Sequence, residues 1–170
     1  SDVCSSDLTV AGATNSVAAQ AAFLGATSGL GLLTFESPLP SGVSIAGGSI
    51  TNNSGCGALC GFNTTPAGNF FLSLVGGSAT FSFTNPIDTF GFYINGLQTN
   101  LVPQETVTFS DGSSQVINIP DAINGGMAFV GFTDAGASIS SVTINATNDI
   151  VAVDDVYYGN SRVPEPASLL

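Results

Sequence analysis

The side chains able to do chemistry in this 170-residue chain are few, and most of them are acids. Twelve Asp and Glu face a single base, Arg162, with no His and no Lys. Without His, triads of the Ser-His-Asp type and His-based zinc sites are closed; without Lys, so are Schiff-base and Ser-Lys chemistry. A glycosidase-type carboxylate pair remains formally open. The acids fall mostly at turns, however, and there is no Trp to floor a sugar subsite, so the reading is non-enzymatic. A carboxylate taken out of water needs a partner. With one base in the chain, that partner must be backbone N–H or a metal ion. Glu36 and the Asp154-Asp155 pair stand out on this test. Strand alternation sends Asp154 and Asp155 to opposite faces, one of them inward or toward a sheet rim. Calcium takes about six to eight oxygens, which an acidic, Asn-rich chain supplies. Glu36, Asp154 and Asp155 are thus a candidate Ca²⁺ set, the other reading being acids solvated at strand ends. Asp111, before Gly112, reads as a hairpin turn, and Asp134 and Asp149 as turn residues.

Cys56 and Cys60 enclose a short Gly-rich stretch. In an oxidising compartment this spacing fits a disulfide, which would stiffen the loop from Asn52 to Phe62. Tyr93, Tyr157 and Tyr158 are candidates for a glycan-stacking platform, because tyrosine offers a flat apolar face with a polar edge. Aromatics in strands also serve as core, and that alternative stays open.

Charge excludes several functions. At a formal net charge of −11, the chain has no basic patch to meet phosphates, so nucleic acid is not its partner. Anionic membrane surfaces repel it for the same reason. Hydrophobic residues make up 44% and charged residues 8%, the reverse of a disordered composition. The length suits one domain with its own core.

These side chains must be positioned mainly by strands. Asn15 can cap a helix over about 15–25, whose Val17, Ala21 and Leu24 form a stripe to lie on a sheet. From Leu30 onward, short Phe-, Val-, Ile- and Thr-rich runs alternate with turn signals. Leu32–Glu36 is a strand. Val43–Ile45 and Ser49–Thr51 flank Gly47-Gly48 as a hairpin or one bulged strand. Phe81 and Phe83 share a core face, as do Val142 and Ile144, and Met127–Thr133 suits a strand covered on both sides. About ten strands predict an all-β fold, a two-sheet antiparallel sandwich of jelly-roll type with one N-terminal helix.

The C-terminal residues Val163-Pro164-Glu165-Pro166-Ala167-Ser168 resemble the PEP-CTERM sorting signal of bacterial exported proteins. Thr34-Phe35-Glu36, Thr106–Ser113, Val130–Thr133 and Val153–Gly159 are similar, more loosely, to the ectodomains that often precede such a tail. The resemblance implies an exported protein of an exopolysaccharide-producing bacterium, at the cell surface or in the extracellular matrix. It implies processing by an exosortase-type enzyme, and a sandwich resembling carbohydrate-binding modules. In such modules a Glu of the first strand and an Asp of the last often hold structural calcium. Two rivals follow: a calcium-stabilised carbohydrate-binding module for extracellular polysaccharide, and a self-assembling structural subunit that pairs edge strands. Leu169-Leu170 falls far short of the ~20 apolar residues of a membrane span, so the signal reads as truncated, with no span in the chain as given. Residues 1–8 resemble translated sequencing-adapter sequence and are expected outside the fold, with a secretion signal lying upstream. Residues 9–159 then form the ectodomain, and 160–170 the linker and sorting motif.

Overall fold

The computed structural model describes residues 13–98, 105–110, 114–119, 122 and 125–161, with residues 2–7 and 114–116 as backbone alone. Val163–Ser168, expected from the sequence to be a sorting motif, lie outside the described residues, as do Arg162 and Asp111. In chain order the elements are β1 (Asp2–Asp7), α1 (Thr14–Gly25), β2 (Gly31–Leu33), β3 (Val43–Ala46), β4 (Ser49–Thr51) and β5 (Phe71–Val75). There follow β6 (Ser78–Ile87), β7 (Thr89–Leu97), β8 (Thr106–Ser110), β9 (Ser114–Asn118), β10 (Gly126–Thr133), β11 (Ile139–Asn145) and β12 (Ile150–Gly159). All pairings are antiparallel and build two sheets. One runs β1-β10-β7-β12-β5-β4 with β2 also on β12, and the other β3-β6-β11-β8-β9. The expected all-β, two-sheet sandwich is the fold.

Alternation explains the core. Ala79, Phe81 and Phe83 on β6 and Val142 and Ile144 on β11 meet Phe90, Phe92, Ile94, Val130 and Phe132 of the larger sheet. Phe109 of β8 stacks on Phe132 of β10 with ring centroids 4.4 Å apart, which ties the sheets together. On either side of Asp111-Gly112, β8 and β9 pair antiparallel with Ser110 opposite Ser114, the turn residues lying outside those described.

Three placements depart from the sequence reading. Gly47-Gly48 is neither hairpin nor bulge: β3 pairs β6 in one sheet and β4 pairs β5 in the other, so the glycines carry the chain between sheets. Asp2–Asp7 is an edge strand on β10 rather than a segment outside the fold. The helix begins at Thr14 after Ala13, without a side-chain cap, so Asn15 lies inside it.

That helix also buries a different face from the one expected. Ser16, Ala19 and Phe23 are buried, whereas Val17 is 53% and Leu24 38% exposed. The sheet makes this choice. Gly91 and Gly131 are directly opposed on β7 and β10, and without side chains they leave a pit. Phe23 fills it so closely that a Cβ on Gly131 would lie 2.7 Å from its ring, and one on Gly91 2.9 Å. Phe129, Tyr93, Met127 and Ala19 complete this second apolar cluster on the outer face of the larger sheet. No helix among the described residues is long and apolar enough to cross a membrane.

Candidate functional site: a cleft between the helix and a bulged central strand

The candidate site forms where β12 changes partners. Its first half pairs β5 up to Val153, opposite Leu72, and its second half pairs β2 from Val156, opposite Leu33. Asp154 and Asp155 occupy the gap. Across the sheet, Asp154 pairs Tyr93 but Tyr157 pairs Gly91, so β12 carries one extra residue there. Asp155 takes a positive φ of 46°, a conformation costly for a side-chain-bearing residue and tolerated best by Asp, Asn and Gly.

This bulge overturns the expectation that Asp154 and Asp155 face opposite ways. Both carboxylates turn to the same Thr64-Thr65 segment, because a bulge re-aims the residues it contains. Asp154 Oδ2 accepts the N–H of Thr64 at 2.7 Å and of Thr65 at 3.2 Å, while Oδ1 accepts the N–H of Asp155 at 2.8 Å. Asp155 accepts the Thr65 hydroxyl at 2.8 Å on Oδ1 and the Thr64 hydroxyl at 3.0 Å on Oδ2. Asp154 is 0% and Asp155 6% exposed. Burial pushes the Asp154 carboxyl up to about 6; its N–H donors oppose this, and the neighbouring Asp155 charge adds to it.

Glu36 belongs to the same constellation but is exposed and does not join the Asp pair directly. Its Oε1 accepts the N–H groups of Asn69 and Phe70, each at 2.7 Å, which closes the space between the end of β2 and the start of β5. The Asn63 amide nitrogen lies between the acids, 3.2 Å from both Glu36 Oε1 and Asp154 Oδ2, and 2.8 Å from the Phe70 carbonyl. Its two hydrogens are thus shared among three acceptors. Among the described residues no three acidic, His or Cys side chains form a metal-holding group. The donor set also argues against calcium at Asp154 Oδ2. Two backbone N–H groups point their positive ends there and, unlike hydroxyls, cannot turn to present an oxygen.

Cys56 and Cys60 form a disulfide, with Cα atoms 5.5 Å apart, around a 3-10 turn over Gly57–Cys60. The segment after it is held by Asn95 of β7, which is 0% exposed. The Asn95 Oδ1 accepts the Phe62 N–H at 2.8 Å, and its Nδ2 donates to the Phe62 carbonyl at 2.9 Å. The residues from Phe62 to Pro66 thus become one wall of a cleft of about 560 Å³. Val17 and Gln20 of α1 form the opposite wall, and Tyr93, Tyr157 and Asp155 contribute from the sheet. The volume lies within the range of small-ligand sites.

The tyrosines divide. Tyr93 and Tyr157 line the cleft, joined through Gln20: the Tyr93 hydroxyl donates to Gln20 Oε1 and Gln20 Nε2 donates to the Tyr157 oxygen, both at 2.8 Å. Tyr93 is buried, and Tyr157 is half-buried. Tyr158 is not part of this surface. It points to the other face of β12 and stacks on Phe83 of the core at a centroid distance of 5.5 Å, so the three rings form no common platform. Sequence reasoning missed Gln20, Phe62, Thr64 and Thr65. Only the Asn- and Thr-rich texture of 63–65 hinted at hydrogen-bonding capacity there.

The carboxylates are therefore acids satisfied by donors, beside an apolar cleft with one polar wall. No protein-family model matches the chain, and comparison with curated proteins likewise finds no similar sequence.

Proposed function

We propose that this chain is a non-enzymatic, exported β-sandwich that binds extracellular polysaccharide in the cleft beneath α1. The Val163–Ser168 motif would direct it, as the target of an exosortase-type enzyme, to the surface or matrix of an exopolysaccharide-producing bacterium. The observation that carries the binding reading is the cleft itself. It combines half-buried aromatic rings at Phe62 and Tyr157 with amide and hydroxyl groups at Gln20, Thr64 and Thr65. Sugars present that same mixture, apolar C–H faces and hydroxyl edges. The non-enzymatic reading is supported by chemistry. Asp154 is fully enclosed and donor-bound, and the chain offers no His or Lys as a base.

The test is retention of the chain on a panel of insoluble and immobilised polysaccharides, with Phe62→Ala and Tyr157→Ala as variants. At least one polysaccharide retains the parent chain, and both variants lose retention while still melting cooperatively. A parent chain retained by none of them refutes the reading.

A further inference from the structure

Asp155 lines the cleft and is buried there. The bulge and the left-handed backbone at Asp155 turn its carboxylate onto Thr64 and Thr65, which line the cleft with it. Two hydroxyls are its hydrogen-bond donors, from Thr64 and Thr65. The chain's one base, Arg162, is outside the described residues, so no cationic side chain faces Asp155 among those described. Immediately beside it stands the second buried acid, Asp154. The charge reaches the cleft: burial, and then Asp155, push the Tyr157 phenol above its ordinary range. A desolvated carboxylate without a counter-cation gains most from a ligand that brings one.

The remaining walls specify which cation. The rings of Phe62 and Tyr157, with Val17 and Leu32 at the rim, are poor partners for a hydrated metal ion. They suit an organic ammonium, whose charge can meet an aromatic face while its carbon skeleton lies on apolar surface. Acidic sugars are disfavoured by the same acids and by the net charge of −11.

We infer that the cleft selects saccharides carrying a free, protonated amino group, with Asp155 as the counter-charge and Phe62 and Tyr157 as the walls around it. This inference rests on the saccharide-binding reading and adds the ligand class.

The chain has no Trp and three Tyr, two of them in the cleft, so tyrosine emission reports occupancy directly. Three probes are titrated at a pH that keeps amines charged: a glucosamine oligomer, its fully N-acetylated counterpart, and methylammonium. The expected result is binding of the amino oligomer about ten-fold or more tighter than the acetylated one, weakening with salt. Asp155→Asn should remove that preference, bringing the ratio of the two oligomers' affinities to about one. Asn tolerates the positive φ and can still bond both threonines, so the variant should fold. Equal affinity for the two oligomers overturns the ammonium inference and leaves the saccharide reading standing. Methylammonium binding as tightly as the amino oligomer supports Asp155 as an ammonium site and overturns the saccharide reading. No response to any probe overturns the ammonium inference, and the polysaccharide panel then decides the saccharide reading.

Discussion

Lowering the pH from neutral should stabilise this protein, and Asp154 sets the size of the effect. Its carboxyl is raised from an ordinary 3.8 to about 6 by burial in the gap of β12. In the unfolded chain the same group titrates near its ordinary value. Between those two values the folded state therefore holds more protons than the unfolded state, and stability rises as pH falls. The contribution is fully present below about 3.8 and is lost as pH climbs through about 6. Each pH unit between the two values is worth about 1.4 kcal/mol, so the whole effect amounts to about 3 kcal/mol. Asp149 acts in the same direction, since burial raises its carboxyl too. The assay is urea unfolding at a series of pH values, for the parent chain and for Asp154→Asn. Asparagine cannot titrate, and it leaves one of the N–H groups of Thr64, Thr65 or Asp155 facing another donor, at a cost of about 1–3 kcal/mol near neutrality. The variant should be weaker at neutral pH and lose much of the acid stabilisation. A parent chain whose stability falls steadily from neutral pH to about 4.5, with a slope that Asp154→Asn does not change, would refute the reasoning.

The pit under the helix gives a steric test. Gly131→Ala places a methyl 2.7 Å from the Phe23 ring, so the helix must shift, and urea melts should show a loss of about 1–3 kcal/mol. Phe23→Ala empties the same pit and should cost about 3–5 kcal/mol in the same melts. Reducing the Cys56–Cys60 disulfide opens a loop of sequence separation 4. The expected loss is about 2 kcal/mol, read as a shift in thermal melts with and without reductant. Excess chelator and added Ca²⁺ should both leave the melting temperature unchanged, because Asp154 and Asp155 take protein donors. A chelator-induced fall of several degrees, restored by added Ca²⁺, would refute this and show a stabilising bound ion.

Much of the fold was legible because its signals are local. Phe81 and Phe83, Val142 and Ile144, and the Asp111-Gly112 turn each declare a strand face or a hairpin through spacing alone. The helix over about 15–25 was legible too. Its buried face was not, because Val17, Ala21 and Leu24 form as reasonable a stripe as Ala19 and Phe23. The pit at Gly91 and Gly131, residues forty apart in the chain, decided between them.

The candidate site shows the same division. Composition by itself determined that buried acids here would need backbone N–H groups or a metal ion, since the chain has one base, and it singled out Glu36, Asp154 and Asp155; the threonine hydroxyls on Asp155 came from the folded chain. Which acids share a pocket was decided by the bulge in β12, which defeats the two-residue period on which facing is read. The tertiary structure likewise chose Gln20, Phe62, Thr64 and Thr65, which come from a helix and a loop and share no pattern with β12. Local periodicity encodes which face a residue takes within one element. A cleft made by six separated segments depends on how those elements meet, and their packing is written only in the folded chain.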